Sequence, residues 1–407
     1  YEACRAEENL TLLLNSAVYA VEMAAEDRIA AVLALQSLSQ RRLRIAADLF
    51  IDCSGDGAVG VPAGVPWRVG QEARGEYGEP MAPEEGWDWT LGSSLLFRAR
   101  DVRRPAPFAP PPWAASYPDE SALEHRSHRA IEGGYWWIEV GYPFHTLADN
   151  DDIRDELLRH VLGIWDHIKN HCTIEGVREK AATYALDWIG MLPAKRETRR
   201  FVGAHVMTQQ ELKRRELHED RIAFGGWLID DHTQGGILAQ DKKPSFDGVA
   251  ETACYVAPYP VPLRALYAPQ VTNLFFAGRL MSVSRLAFNS LRIMRTLAVI
   301  GQAAGTAAAH CAREGKGPAA LAPDDIAQTQ QSLLRQDCYV PFVSNGDPKD
   351  LARTCTVIAP STAPWPTEPD EASLPLDEGL AQLVPVTAET LDTVAFYVEN
   401  RTETALP

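Results

Sequence analysis

Two short apolar runs in this chain end in glycine turns. One is Ile51-Asp52-Cys53-Ser54-Gly55-Asp56-Gly57, and the other, about 220 residues on, is Asn273-Leu274-Phe275-Phe276-Ala277-Gly278-Arg279. Strands of this kind place ligands at the carboxyl ends of an α/β sheet. Glycine lets the backbone approach a ligand closely, and Asp56 is suited to accept from a sugar-like hydroxyl. Gly55-x-Gly57-x-x-Gly60 also matches the dinucleotide pattern GxGxxG, which must open an uninterrupted helix. Here Pro62, Gly64 and Pro66 interrupt that helix at once, and no apolar strand ending in an acid follows. The match is therefore not read as a pyrophosphate site.

A third element runs from Arg292 to Ala309. Gly301, Ala304, Gly305 and Ala308 recur at helical spacing and leave a stripe poor in side chains. Such a stripe admits a sheet or a flat cofactor, and the helix start suits a ring carbonyl that becomes anionic on reduction, as a flavin's does. Two further groups are candidates for chemistry. Arg196, Arg199 and Arg200, in Lys195-Arg-Glu-Thr-Arg-Arg200, offer a fork of cations for a carboxylate or polar substrate. Asp230, Asp231 and His232 follow Gly225-Gly226-Trp227, and a His beside a carboxylate is suited to accept a proton during alcohol or amine oxidation.

The elements that must position these groups are legible in outline. Residues 10–53 read as five short strands: 10–15, 17–24, 28–35, 41–47 and 47–53. The last is apolar enough for a strand buried on both faces. Nine of the ten tryptophans lie between Trp67 and Trp227, and one amphipathic helix is expected over 153–169. An aromatic-rich insertion of this kind is expected to cover a ligand. From 271 the pattern returns to a strand, then helices at 294–313 and 326–335, the first stopped by Gly315 and Gly317. Four stretches follow: 1–70, an inserted domain at 71–265, a return at 266–353, and a linker with strand-like segments at 354–407. The formal charge is −16, and residues 354–407 hold nine acids against Arg401, so half the excess sits in that tail. An acidic balance argues against a nucleic-acid surface. No apolar run approaches membrane-spanning length, and the seven scattered cysteines form no CxxC and no disulfide framework.

Several segments together resemble the FAD-dependent oxidoreductases of the two-dinucleotide-binding, succinate-dehydrogenase-like superfamily. The closest resemblance is to a bacterial group often labelled xanthan-lyase-like. The segments are 51–57 with 63–83 behind it, 134–141, 164–171, 192–203, 220–232, 273–296 and 300–309. The resemblance implies an α/β fold: an incomplete flavin-binding, Rossmann-like domain, an inserted α+β substrate domain, and the start of a C-terminal all-β unit. It implies FAD as cofactor, with contacts at Ser54, Gly55, Asp56, Gly57, Gly278, Arg279, Arg292, Gly301, Gln302, Ala303 and Gly305. Two departures stand out. The family opens with a strand and GxGxxG turn followed by an acid, which this chain lacks, so an N-terminal FAD-binding segment before Tyr1 is expected to be missing. Relatives often carry a His where this chain has Arg285.

The expected function is hydride transfer from a small polar, carbohydrate-related substrate to FAD, with His232, Asp230, Arg196 and Arg199 as catalytic groups. The alternative is a non-catalytic module that keeps a flavoprotein scaffold. A polysaccharide lyase finds no Tyr/His/Arg constellation in the sequence. His167 and His171 stand at i, i+4 beside Cys172, but without the Glu of HExxH or a third donor, so no metal is expected. His125 and His128 carry no further signal. Tyr135, Trp136 and Trp137 read as a pocket lining or as a core strand.

Overall fold

A computed structural model of the chain describes residues 1–356, 358, 359 and 361. Two compact units are present, Tyr1–Asp347 and Pro348–Pro407. In the second, the described residues form one 3-10 turn, Leu351–Arg353. The strand-like segments expected after 354 lie outside the described residues.

The first unit opens with an antiparallel meander of strands Ser16–Ala25, Arg28–Gln36 and Arg41–Ala46. Alternation of apolar and polar residues creates it, with Val21 opposite Val32 and Val32 opposite Ile45. The expected strand at 10–15 does not form. Leu10, Leu12, Leu13 and Leu14 are all exposed, so that run has no partner surface to pleat against.

Strand Phe50–Asp52 pairs in parallel with Leu274–Phe276, in the register Phe50–Leu274, Ile51–Phe275 and Asp52–Phe276. The two apolar runs that end in glycine turns are therefore neighbours, and their turns emerge side by side. Buried Asn273 ties this pair to the meander: its amide donates to the carbonyls of Ile29 and Asp48, and its Oδ1 accepts from Ile29 N at 2.9 Å.

Two larger cores complete this unit. Residues between Leu95 and Ala181, joined by Ile237, build one around the antiparallel strands Phe97–Asp101 and Tyr184–Ile189 and the helix Asn150–Asp166. Ile153, Leu157, Val161 and Ile164 form the buried stripe of that helix. The other core joins strands Arg221–Gly225 and Tyr259–Pro262 to the helices Arg285–Leu291, Met294–Glu314 and Pro323–Arg335. Met207, Leu212, Ile222, Ala223 and the apolar residues of 259–266 thus share their core with the returning segment. The long helix Met294–Glu314 ends at Gly315, whose φ of 64° is the left-handed conformation of a helix cap.

Candidate functional site

Residues 57–64 form a run of turns rather than a helix. Asp52, fully buried, explains the shape: its carboxylate accepts from the amides of Ser54, Val59 and Gly60, each at 2.9 Å, while Ser54 Oγ accepts from Gly57 N and Ala58 N. Gly55 and Gly57 take φ of 78° and 85°, values that suit glycine. A Cβ on Gly55 would stand 2.5 Å from Arg279 Cζ.

That contact reflects a cross-strand grip. Arg279, from the neighbouring glycine turn, donates to Asp56 Oδ1 at 2.9 Å, and Lys195 Nζ donates to Oδ2 at 2.8 Å. Thr198 Oγ1 donates to the Gly55 carbonyl, and Arg199 to the Asp56 carbonyl at 2.7 Å. Burial alone would raise the Asp56 carboxyl, but Lys195 and Arg279 outweigh it and hold the group below the usual range. Asp56, Gly57, Ala58 and Arg199 line a cavity of about 350 Å³ with Tyr19 and Val61.

Of the expected catalytic residues, Arg199 stands at the Asp56 turn, and His232, Asp230 and Arg196 meet in another cluster. His232 Nδ1 lies 2.6 Å from Glu139 Oε2, and its Nε2 lies 3.1 Å from Asp230 Oδ2. A carboxylate only accepts, so both ring nitrogens donate and the ring is an imidazolium. Burial opposes that charge, yet the two acids outweigh it and raise the imidazole above its ordinary value. Arg292 Nη2 donates to Asp230 Oδ2 at 3.0 Å, and Arg196 Nη1 stands 3.3 Å from Glu139 Oε2. Burial likewise works against Glu139, but Arg196, His232 and Arg292 hold its carboxyl at about 2. Three cations face two carboxylates here, leaving a positive excess beside the half-exposed ring of Trp136, 5.1 Å from His232.

The expected fork of arginines is not formed. Arg199 and Arg200 are neighbours on an extended segment, so their side chains leave on opposite faces. Arg199 lies over the Trp67 ring at 4.9 Å, whereas Arg200 is fully buried and bonds Glu72, Glu197 and the Gly70 carbonyl. Arg196 donates to the Gly92 carbonyl, Ser94 Oγ and the Trp136 carbonyl, bonds that tie these segments together. Arg285 is also buried, 3.3 Å from both Glu197 and Asp231, with its guanidinium over Trp89.

The residues around the long helix divide by face. Ala303 is packed in the core, and Gln302 is exposed, near Gln336. Gly301 and Gly305 are half-buried with nothing within 4 Å of an added Cβ, as is Gly278 at the start of its turn. Tyr135 and Trp137 belong to the insertion core, and only Trp136 of that trio turns outward.

Glu139, Lys195 and Thr198 were missed from sequence. Lys195 and Thr198 flank Arg196 and Glu197 in a charged run, which is a usable signal; Glu139 sits in an aromatic strand and meets His232 only after 93 residues of chain. Around His167 the structure gathers donors that the i, i+4 spacing did not indicate: Glu120 and His128 converge on it and Cys172. His171 instead turns to Asp166 at 3.2 Å.

Neither a curated protein nor a solved structure matches the chain. Residues 1–333, most of its length, match the model of one family, and the chain belongs to the FAD dependent oxidoreductases.

Proposed function

We propose that the chain carries the flavin-facing and substrate-facing parts of an enzyme that passes a hydride from a small polar, carbohydrate-like substrate to FAD. The observation that carries this reading is the pairing of the two glycine turns at adjacent carboxyl ends of parallel strands, cross-linked through Asp56. The residues present fit such a ligand. Arg199, Arg279 and Arg292 each keep a buried Nε–H without an acceptor, and FAD is rich in acceptors. Gly278, Gly301 and Gly305 leave open room that a side chain would fill. Ser54 to Gly57, Gly278, Arg279 and the glycines of the long helix are the residues that would hold it. A separate strand–GxGxxG–helix segment, which residues 55–60 do not form, would grip the pyrophosphate.

When bound, the flavin supplies the two-electron acceptor. The protein's part is orientation and proton handling. Asp230, Arg196 and His232 offer polar partners to a polar substrate, and Trp136 offers an apolar wall. Oxidation of such a substrate would leave a carbonyl or imine, and its O–H or N–H proton would pass to His232 through Asp230, the carboxylate 3.1 Å from Nε2. His232 must first be neutral, so substrate oxidation speeds up as pH rises through its raised pKa.

Purification of the protein together with any preceding coding sequence tests this directly through its visible spectrum. Bound flavin absorbance that bleaches with a polar alcohol or amine is the expected result. A colourless protein that added FAD does not stabilise would end the proposal.

A further inference from the structure

Away from the flavin-facing turns and the His232 cluster, four side chains from two separate segments converge at one edge of the insertion core. They are Glu120 and His128, from the loops around the 3-10 turn Ser121–Leu123, and His167 and Cys172, from the end of helix Asn150–Asp166. One donor atom from each lies within 4.8 Å of every other. His128, His167 and Cys172 are almost wholly buried, and Glu120 is half-buried.

The histidines are wired as metal ligands are. His128 Nδ1 lies 2.7 Å from the Arg126 carbonyl, and His167 Nδ1 lies 2.8 Å from the Tyr117 carbonyl. A carbonyl only accepts, so each Nδ1 carries the hydrogen. That leaves each Nε2 with a lone pair in the neutral ring, the tautomer that metal-bound histidines are held in by such outer bonds. Both Nε2 atoms are buried and face the one carboxylate of Glu120. Glu120 Oε2 stands 2.8 Å from His128 Nε2, and Oε1 stands 3.4 Å from His167 Nε2, while Oε1 is steadied by Thr173 N at 2.6 Å.

The backbone supplies the register. On a regular α-helix, residues five apart point about 140° away from each other. Residues His167–His171 form a π-helical turn, closed by Cys172 N donating to the His167 carbonyl at 2.7 Å. The wider turn brings residues 167 and 172 back to one face, and single π turns inside helices often mark functional sites.

We propose that Glu120, His128, His167 and Cys172 bind one structural zinc ion that ties the 117–137 segment to the end of this helix. Two imidazoles, a thiolate and a carboxylate make a tetrahedral donor set suited to zinc, and four protein ligands close the site to substrate. Zinc bonds of about 2.0–2.3 Å put tetrahedral ligand atoms about 3.3–3.8 Å apart, so on binding the wider separations close and Glu120 Oε2, now 2.8 Å from His128 Nε2, draws back. The Cys172 thiol becomes a thiolate on binding and gives one proton to solvent. A cavity of about 370 Å³, lined by Cys172, Thr173, Ile174 and Arg178, adjoins the site at Cys172.

The full chain, purified without chelator from zinc-supplemented medium, is assayed by elemental mass spectrometry after exhaustive dialysis. About one zinc per chain is expected, falling at least tenfold in His167→Asn/Cys172→Ser and unchanged in His205→Asn, which alters the His205–Glu211–His218 cluster instead. Should the double variant not fold, chelator-stripped wild-type protein titrated with Co²⁺ decides. A thiolate-to-cobalt charge-transfer band with the intense visible bands of tetrahedral cobalt supports the site. Absence of these bands, zinc well below one per chain in the wild type, or full zinc retention by a folded double variant overturns it.

Discussion

His232 and the His128–His167 pair are all buried, yet their surroundings meet the cost of a buried imidazole in opposite ways. Around His232 each ring nitrogen has a carboxylate, and each carboxylate has an arginine, so every charge stands against an opposite one. Around His128 and His167 one nitrogen of each ring is satisfied by a backbone carbonyl, and the other faces the single, half-buried carboxylate of Glu120 beside the Cys172 thiol. The first arrangement holds protons and the second presents donors. What a buried histidine can do is thus decided by the partner of its far nitrogen.

The strongest way to break this contrast is to remove a carboxylate from each cluster. Glu139→Gln leaves Arg196 and His232 facing each other without a counter-charge. Stripping one member from a buried charge network costs about 3–5 kcal/mol, which urea denaturation will read. Glu120→Gln in chelator-treated protein removes a half-exposed group and is expected to cost under about 1 kcal/mol. Equal losses at the two positions would erase the distinction.

A second break is functional. Removing a positioned proton acceptor costs about 100-fold or more in rate. His232→Asn should therefore slow flavin reduction by substrate about 100-fold in stopped-flow measurements while leaving the flavin spectrum intact. An unchanged reduction rate would strip His232 of its role.

Titration sharpens the contrast. The raised pKa of His232 means its stabilising contribution is complete below the ordinary histidine value and is lost as pH climbs through the raised one. Glu139 and Asp230 are lowered, so their contribution is complete above the ordinary carboxylate range and is lost as pH falls through the depressed values. Wild-type stability should accordingly decline on the alkaline side in a way that His232→Asn abolishes. Denaturation midpoints across pH will show whether it does.

How much of this was legible depended on whether the signal was local. The meander strands show period-two alternation, and the helix at 150–166 shows its stripe within one window, so both can be read directly. The pairing of 50–52 with 274–276 was readable because both runs are apolar and end in the same kind of turn. Leu10–Leu14 looks like a strand by composition, but composition cannot tell whether a partner exists. The arginines of 196–200 look like one fork in sequence, though extended backbone sends neighbours to opposite faces. The donors near His167 were hidden for another reason. Cys172 joins only because a π turn replaces α geometry, and His128 arrives from 39 residues away. Polar contacts closed by tertiary structure leave no periodicity to detect.

The smallest expected effect separates the flavin-facing glycines from one another. Gly55 has φ of 78° and Arg279 against the place of a side chain, so Gly55→Ala should destabilise the chain by about 1 kcal/mol with or without ligand. Gly301 lies inside the helix Met294–Glu314 with nothing within 4 Å of an added methyl. Alanine there should stabilise the ligand-free protein by about 0.5–1 kcal/mol, the ordinary helix preference over glycine. A glycine that lowers stability and fills no packing role is explained if a bound flavin needs the room. Gly301→Ala should therefore raise the melting midpoint of the ligand-free chain while weakening FAD binding, read by fluorescence titration. If stability rises and FAD affinity is unaltered, the open face of this helix is not part of the cofactor site.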